Sequence, residues 1–401
     1  MLFYLQLRNK MKYFLFLICL LSSSVTLAQD RQTLNIFMDQ PVNFQGQKGS
    51  SEDVERIQDG RIVFKKVHAP VFEKGTDVTL KLTLRSAGDP WDKSGSVFVI
   101  TEPEKIDLID VAKGDGNYPE QAGILEYPGV RKSEDYTPAL EILRFMTPFG
   151  AGHFSDESVA QKRQYSRPVY IPRWEDKVVW EEDISHLAEE VTGEFYVGVW
   201  IDTWTAEGYS LDLSLEYSGR PLSPRKVIPL VNTIYYAGQK HPDLFAKTNL
   251  EVEFDLPENA KNVQLHYITT GHGGHSGGDE FIQLRNVVKF NNKVVLDTIP
   301  WRDDCASFRR FNPSSGVWLR KDTAYVYNRT GQKEERVIEE RLASSDLSRS
   351  NWCPGSKVSP YTLSVGTLEN GVHHVEIAID ATLIEENKLN HWLVSAYLTY
   401  Q

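Results

Sequence analysis

The densest group of chemically active side chains lies in a glycine-rich stretch, residues 271–280. Five glycines surround His272, His275, Asp279 and Glu280, and segments with the pattern of β-strands stand on both sides. A flexible polar loop at the end of an apolar scaffold is a common place for binding or catalysis. We therefore take this loop as the first candidate site.

Two interpretations of this loop remain open. His272 and His275, followed by two carboxylates, are of the residue types that bind a divalent metal ion. Alternatively, the glycines only provide turn geometry and the polar side chains are solvated. No third-ligand motif is visible, so we assign no metal and expect no cofactor. Glu280 stands out, because it opens a strand beside glycines that let a ligand approach the backbone.

A second candidate is Trp91-Asp92, which follows a predicted strand. A carboxylate beside a tryptophan can have its pKa shifted by partial burial and can act as an acid or a base. An ordinary turn uses the same residue types, so composition alone does not decide.

The third candidate is an aspartate between two tryptophans. In a strand, Trp200, Asp202 and Trp204 would share one face, which would place the carboxylate between two aromatic rings. Sugar rings stack on such surfaces, and carboxylates bind sugar hydroxyls. Core packing with an aspartate at the edge is the alternative. The sequence contains no G-x-S-x-G, Walker, H-E-x-x-H or dinucleotide motif, which disfavours serine-nucleophile and nucleotide chemistry.

Residues 1–28 have the features of a secretory signal peptide. Arg8, Lys10 and Lys12 precede the apolar run from Phe14 to Leu21, and a small-residue cleavage site follows. The run is too short for a membrane span, so we expect a secreted or periplasmic protein without a membrane anchor. The formal net charge of −11 becomes more negative once this segment is removed. An acidic surface disfavours nucleic acid as a partner.

Two cysteines remain after the predicted signal peptide. An even number in an oxidising compartment predicts one disulfide, between Cys305 and Cys353. It would bring Arg302, Arg349 and Trp352 into one neighbourhood.

The elements that must position these groups are short strands. Residues 78–84, 210–217 and 250–256 alternate apolar and polar side chains. Helical periodicity is scarce: residues 184–191 suit a short helix, and residues 333–342 suit either a helix or one arm of a hairpin. Short strands with Gly- and Pro-rich turns predict an all-β fold of antiparallel sandwiches.

A chain of 401 residues is long enough for two domains. Two prolines within residues 218–224 would weaken any sheet there. We predict an N-terminal β-sandwich domain over residues 29–218, a linker over 219–224 and a C-terminal β-sandwich domain over 225–401. Residues 105–140 are predicted to form a long excursion from a strand edge.

Five motifs resemble those of the bacterial peptide:N-glycosidase F family, the amidases that cleave between an asparagine side chain and the first N-acetylglucosamine of an N-linked glycan. In chain order they are Pro90-Trp-Asp-Lys93, Glu141-Ile-Leu-Arg-Phe-Met-Thr-Pro148, Ile201-Asp-Thr-Trp204, Gly277-Gly-Asp-Glu280 and Arg349-Ser-Asn-Trp-Cys-Pro-Gly355. The resemblance covers most of the mature chain. It implies two antiparallel jelly-roll-like β-sandwich domains side by side, with the active site in the cleft between them.

The resemblance also implies residue roles. Asp92 would be the main catalytic carboxylate and Glu280 the second, while Asp202 stands where the family usually has a glutamate, one methylene longer. The implied substrate-binding residues are Arg349, Trp204, Trp91, His272 and Trp352. Residues 319–345 look like an insertion.

The implied activity is the release of N-glycans from glycoproteins or glycopeptides by a monomer, leaving aspartate and a glycosylamine. Three alternatives stay open at this point. A glycoside hydrolase also uses two carboxylates and aromatic walls. The others are a non-catalytic carbohydrate-binding sandwich and a metal-dependent enzyme at His272, His275 and Glu280.

Overall fold

The computed structural model describes residues 31–45, 53–72, 75–160, 171–220, 222–236, 243–273, 278–381 and 390–401. The predicted signal peptide, residues 1–28, and His275 lie outside the described residues. Within the ranges above, no helix has the length and apolar character needed to cross a membrane.

Strands dominate the described residues. In chain order they are β1 (Arg31–Val42), β2 (Glu55–Ile57), β3 (Ile62–Ala69), β4 (Thr76–Ser86), β5 (Ser94–Ile100), β6 (Leu140–Met146), β7 (Val178–Asp183), β8 (Gly193–Ile201), β9 (Tyr209–Gly219), β10 (Lys226–Asn232), β11 (Leu250–Leu256), β12 (Ala260–His272), β13 (Asn286–Phe290), β14 (Lys293–Thr298), β15 (Val317–Tyr327), β16 (Lys333–Ala343), β17 (Lys357–Val358), β18 (Tyr361–Leu368), β19 (Gly371–Ile379) and β20 (His391–Tyr400). The helices of the described chain are α1 (Leu108–Lys113), α2 (Glu157–Ala160) and the 3₁₀ helices Gln58–Gly60, His153–Ser155, Ser185–Val191, Asp243–Ala246, Asp279–Phe281, Cys305–Phe311 and Ser344–Asp346.

The strands form two pairs of sheets and one separate hairpin. The first pair has the strand orders β1-β9-β4-β7 and β17-β6-β5-β8-β3-β2, and the second pair has β10-β20-β12-β18 and β11-β19-β13-β14. Strands β15 and β16 make a two-stranded sheet of their own. Neighbouring strands are antiparallel. The predicted all-β class with two antiparallel sandwiches is confirmed.

Burial along the strands shows how the sandwiches are arranged. In β4, buried side chains alternate with half-exposed ones, so only one face packs in a core. Strands β5, β6 and β20 are buried at every position, because their sheets are covered on both faces. An apolar cluster that includes Phe98, Trp200, Tyr236 and Leu393 joins the six-stranded sheet to the sheet that contains β20. The two sandwiches therefore pack side by side.

A buried ion pair on β6 forms hydrogen bonds across this interface. Arg144 and Glu141 on β6 have no exposed side-chain surface, and Arg144 Nε lies 2.6 Å from Glu141 Oε1. Arg144 Nη1 also donates to Thr270 Oγ1 on β12, at 2.9 Å. Breaking such a pair would leave a buried charge without compensation, so the network fixes how the sandwiches dock. Strands β6 and β12 end together at one cleft, at Met146 and His272.

Other predicted elements can now be placed. Residues 184–191 contain the 3₁₀ helix Ser185–Val191, and residues 333–342 belong to β16, which confirms the hairpin alternative. The excursion before β6 contains α1 and packs Ile124, Tyr127 and Val130 into the core of the second sandwich. The limits of the two domains stay predictions. Strand β17 belongs to the predicted C-terminal domain by its position in the sequence, but it pairs with β6 in the sheet of the first sandwich.

Candidate active site

Asp92 lies in the loop between β4 and β5, and hydrogen bonds hold this loop in place. The buried Asp89 accepts from the backbone N–H of Trp91 at 3.0 Å, a turn geometry that aspartate favours. Its other carboxylate oxygen accepts from Thr203 Oγ1 at 2.7 Å, which ties the loop to the segment after β8. The Tyr209 hydroxyl donates to the carbonyl of Trp91 at 2.7 Å. Asp92 therefore follows directly on a well-anchored turn.

Glu280 lies in the short 3₁₀ helix Asp279–Phe281, next to the end of β12. The backbone N–H of Asp279 donates to Asn390 Oδ1 at 2.6 Å, and Trp392 Nε1 donates to the Asp279 carboxylate at 2.9 Å. Gly271 approaches this turn so closely that a Cβ atom would lie 2.8 Å from the Asp279 carbonyl oxygen. Glycine at position 271 thus lets the turn pack where it presents Glu280 to the cleft.

Arg349 joins the two carboxylates. Its Nε donates to Glu280 Oε1 at 2.7 Å, and its Nη2 lies 3.6 Å from Asp92 Oδ2. The guanidinium also donates to the carbonyls of Leu347 and Ser344, at 2.7 and 2.8 Å. The resemblance places Arg349 among the substrate-binding residues, a role that stays a prediction. In the structure none of its side chain is exposed, and it is not one of the lining residues of the described cleft.

The predicted disulfide between Cys305 and Cys353 is present, with 5.1 Å between the Cα atoms. The segments that it joins also form backbone hydrogen bonds between Arg302 and Arg349, at 2.9 and 3.0 Å. Closing a loop of this length stabilises a fold by about 4 kcal/mol on the chain-entropy model. The disulfide therefore supports the segment that carries Arg349.

Burial raises the pKa of both carboxyl groups. The pKa of Glu280 rises to about 7, because burial outweighs the attraction of Arg349 and the charge of Asp92 adds to the rise. The pKa of Asp92 is also raised by burial, against the attraction of Arg349 and Lys93. Two carboxylates around one guanidinium do not both ionise easily, so the pair loses its first proton more readily than its second. One member then suits a base and the other an acid.

Asp202 follows the end of β8, and this corrects the predicted arrangement of its tryptophans. Trp200 is fully buried in the interface cluster, whereas Trp204 is 51% exposed, so the two rings do not flank the carboxylate on one face. Asp202 instead accepts hydrogen bonds from Trp204 Nε1, at 3.1 Å, and from the Tyr235 hydroxyl. Arg61 Nη1 lies 3.6 Å from its Oδ1. The charge of Asp202 is therefore compensated at the cleft.

These groups meet in a cleft of about 400 Å³ between the sandwiches. The predicted residues that line it are Asp92, Asp202, Trp204, His272, Glu280 and Trp352. Trp91 is 52% exposed and is not one of the lining residues of the described cleft. The lining residues that we did not predict include Lys93, Met146, Tyr235 and His391.

His272 belongs to an aromatic wall of the cleft. Its Nε2 lies 2.7 Å from Thr270 Oγ1, and its ring stacks with Trp352 and His391 at centroid distances of 5.6 and 5.2 Å. Among the residues that the structure describes, no three or more His, Cys, Asp or Glu side chains form a group suited to a metal ion. His275, the second histidine of the loop, is outside this set.

Comparisons with known proteins agree on one family. The family model described as peptide-N-glycosidase F, N terminal, matches residues 33–217, and the model for its C terminal matches residues 240–399. Two structures of PNGF-II share 32% identity with this chain at a TM-score of 0.79. They cover 92% and 95% of this chain, which itself spans 65% and 68% of theirs.

A more distant likeness concerns the fold. PNGase F from Flavobacterium meningosepticum, described as a glycosylasparaginase, has 15% identity and a TM-score of 0.57, and the alignment covers 93% of this chain and 96% of that one. The shared architecture is the pair of jelly-roll β-sandwiches. Comparison with curated protein sequences found no match.

Proposed function

Because the chain belongs to the peptide-N-glycosidase F family, we propose that it is an amidase that hydrolyses the side-chain amide bond of an asparagine whose nitrogen carries the first N-acetylglucosamine of an N-linked glycan. Its substrates are N-glycosylated proteins or peptides, and its products are a peptide aspartate and a glycosylamine. One observation carries this proposal: Asp92 and Glu280, presented by different sandwiches, meet at the buried Arg349.

The shared proton of this pair supports a division of labour. Asp92 is the proposed general base, which removes a proton from the water that attacks the amide carbon. Glu280, whose pKa burial raises to about 7, is the proposed general acid that donates a proton to the amide nitrogen as the C–N bond breaks. Arg349 transfers no proton in this mechanism. It holds both carboxylates in position and limits how far burial raises their pKa values.

The neighbouring side chains suit a sugar. Trp204 offers an exposed ring, and Asp202 offers carboxylate oxygens held by Tyr235 and Arg61. We propose that this corner binds the first sugar and that the His272 and Trp352 rings form the opposite wall. The signal-like residues 1–28 and the disulfide support export to the periplasm or the medium.

The test is to incubate a glycopeptide with the protein and to identify both products by mass spectrometry. We expect the peptide to carry aspartate in place of the glycosylated asparagine, and Asp92→Asn to abolish this conversion. Asp297→Asn is the matched control, since it alters an exposed aspartate–arginine pair away from the cleft. A sugar left on the asparagine would identify a glycoside hydrolase. Binding without any product would identify a carbohydrate-binding protein.

A further inference from the structure

The hairpin β15–β16 has the features of a docking arm. Its two strands pair with each other from Val317↔Ala343 to Tyr327↔Lys333. Nearly every side chain between Leu319 and Arg341 is exposed or only partly buried. Strands of 11 residues extend about 36 Å. The hairpin therefore reaches far from its root, and neither of its strand edges pairs with another strand among the described residues.

One face of this hairpin carries exposed apolar side chains among charged ones. The register places Leu319, Tyr325, Tyr327 and Val337 on the same face, because side chains alternate along each strand and paired residues point the same way. These four side chains are 61%, 66%, 76% and 73% exposed. Tyr325, Tyr327 and Val337 are neighbours near the tip and Leu319 lies nearer the root, with Lys321, Lys333, Glu335, Glu339 and Arg341 on the same face. Exposed apolar side chains with a polar rim mark an interaction surface.

The root of the hairpin is joined to the catalytic groups. The Trp318 ring packs against the ring of Phe281, the residue after Glu280, with 5.3 Å between centroids. The carbonyl of Ser344, immediately after β16, accepts from Arg349 Nη2 at 2.8 Å. The arm thus begins beside Phe281 and Arg349, the two residues that contact or adjoin Glu280.

A second connection leads from the root to the other carboxylate. Ser314 Oγ, just before β15, donates to the carbonyl of Pro90 at 2.7 Å. Pro90 lies two positions before Asp92. The arm therefore starts beside the site where the asparagine of a substrate must be held.

We propose that this arm binds the polypeptide on one side of the glycosylated asparagine as an extended strand. The inference rests on the amidase function proposed above. An extended peptide gains main-chain hydrogen bonds from a free strand edge and side-chain contacts from the adjoining face. The arm contains six basic and five acidic residues in a chain of net charge −11. Its local charge is therefore nearly balanced and repels neither acidic nor basic peptides.

A second copy of this chain fits the arm less well. One face of the hairpin measures about 36 by 10 Å, so two copies joined through it would bury roughly 700 Å² in total. Stable interfaces bury at least about 1,200 Å². Two chains of net charge −11 would also repel each other.

The experiment compares the triple variant Leu319→Ser, Tyr325→Ser, Val337→Ser with the unchanged protein. The control triple is Met38→Ser, Val71→Ser, Val372→Ser, which alters side chains of similar exposure, 75%, 74% and 71%, outside the arm. The substrates are a reduced and alkylated glycoprotein and a glycosylated asparagine that is blocked at both ends. We expect KM for the glycoprotein to rise about tenfold, equivalent to roughly 1.4 kcal/mol. Kinetics on the small substrate, kcat on the glycoprotein and the control triple should not change.

Three outcomes would overturn the docking arm: an unchanged KM for the glycoprotein, an equal loss on both substrates, or a dimer of the unchanged protein that the triple variant dissociates in sedimentation. If the unchanged protein releases no glycan from either substrate, the proposed function fails instead. Whether the arm binds polypeptide is then tested by measuring direct binding of the reduced and alkylated glycoprotein. Weaker binding by the triple variant than by its control supports the arm, and equal binding refutes it.

Discussion

Replacing Glu280 with glutamine removes a buried carboxyl group whose titration links folding to pH. The pKa of Glu280 is about 7 in the folded protein, against 4.5 for an unperturbed glutamate. The folded state therefore binds more protons than the unfolded state between these two values. The contribution of Glu280 to stability is largest below about pH 4.5 and falls as the pH rises through about 7.

The size of the effect follows from the two pKa values. Their difference corresponds to at most about 3 kcal/mol, and because Asp92 shares the same proton we expect about 1 to 3 kcal/mol. The assay is urea unfolding of both proteins at several values between about pH 5 and pH 8. The stability of the unchanged protein should fall relative to Glu280→Gln across this range, since glutamine cannot ionise.

Glu102→Gln is the control with the opposite sign. Hydrogen bonds from Lys132 and Thr137 and the Lys132 charge lower the pKa of Glu102 to about 2 against the effect of burial. Its stabilising contribution is complete above its unfolded pKa and is lost only as the pH falls towards 2. This variant should therefore differ from the unchanged protein by a constant amount between pH 5 and pH 8. If the stability of Glu280→Gln also differs from that of the unchanged protein by a constant amount over this pH range, the raised pKa and the shared proton are refuted.

Three further changes test the surrounding structure. Tyr235→Phe removes the hydroxyl that donates to Asp202, so it should lower the free energy of unfolding by about 1 to 3 kcal/mol and kcat/KM by about 10- to 100-fold; an unchanged kcat/KM would leave Tyr235 with a structural role alone. Exchanging Cys305 and Cys353 together for serine should lower the free energy of unfolding by about 4 kcal/mol. An unchanged free energy of unfolding would show that the disulfide does not stabilise the fold. Arg349→Lys should cost about 3 kcal/mol in urea unfolding and most of the glycan release, because lysine cannot bond both carboxylates and both carbonyls. Full activity of this variant would contradict the proposal that the Arg349 guanidinium must hold both carboxylates in position.

Much of the scaffold was predictable because alternation in the sequence reports one buried face. Strand β11, predicted as residues 250–256, has alternating buried and exposed side chains over that whole span. The same reasoning failed at Trp204, because alternation does not show where a strand ends. Strand β8 stops at Ile201, and the N–H of Thr203 turns back to the Ile201 carbonyl at 2.7 Å. Trp200 and Trp204 consequently face different surroundings.

Most of the proposed site was accessible through local motifs. Asp92, Glu280 and Asp202 each stand beside residues of distinctive type, and the structure brings all three to one cleft. Tyr235 and His391 have no such local signal, since their contact with the cleft depends on how the two sandwiches dock. The burial of Arg349 was not predictable either, because a motif names the residue but not the direction of its side chain.

We propose that water attacks the amide carbon of the asparagine side chain. The most direct measurement is the reaction of a glycopeptide in water labelled with heavy oxygen, followed by mass analysis of the peptide and the released glycan. We predict one labelled oxygen in the new aspartate and none introduced into the glycosylamine by the enzyme. A labelled sugar together with an unconverted asparagine would contradict the claim, because the water would then have attacked a glycosidic carbon.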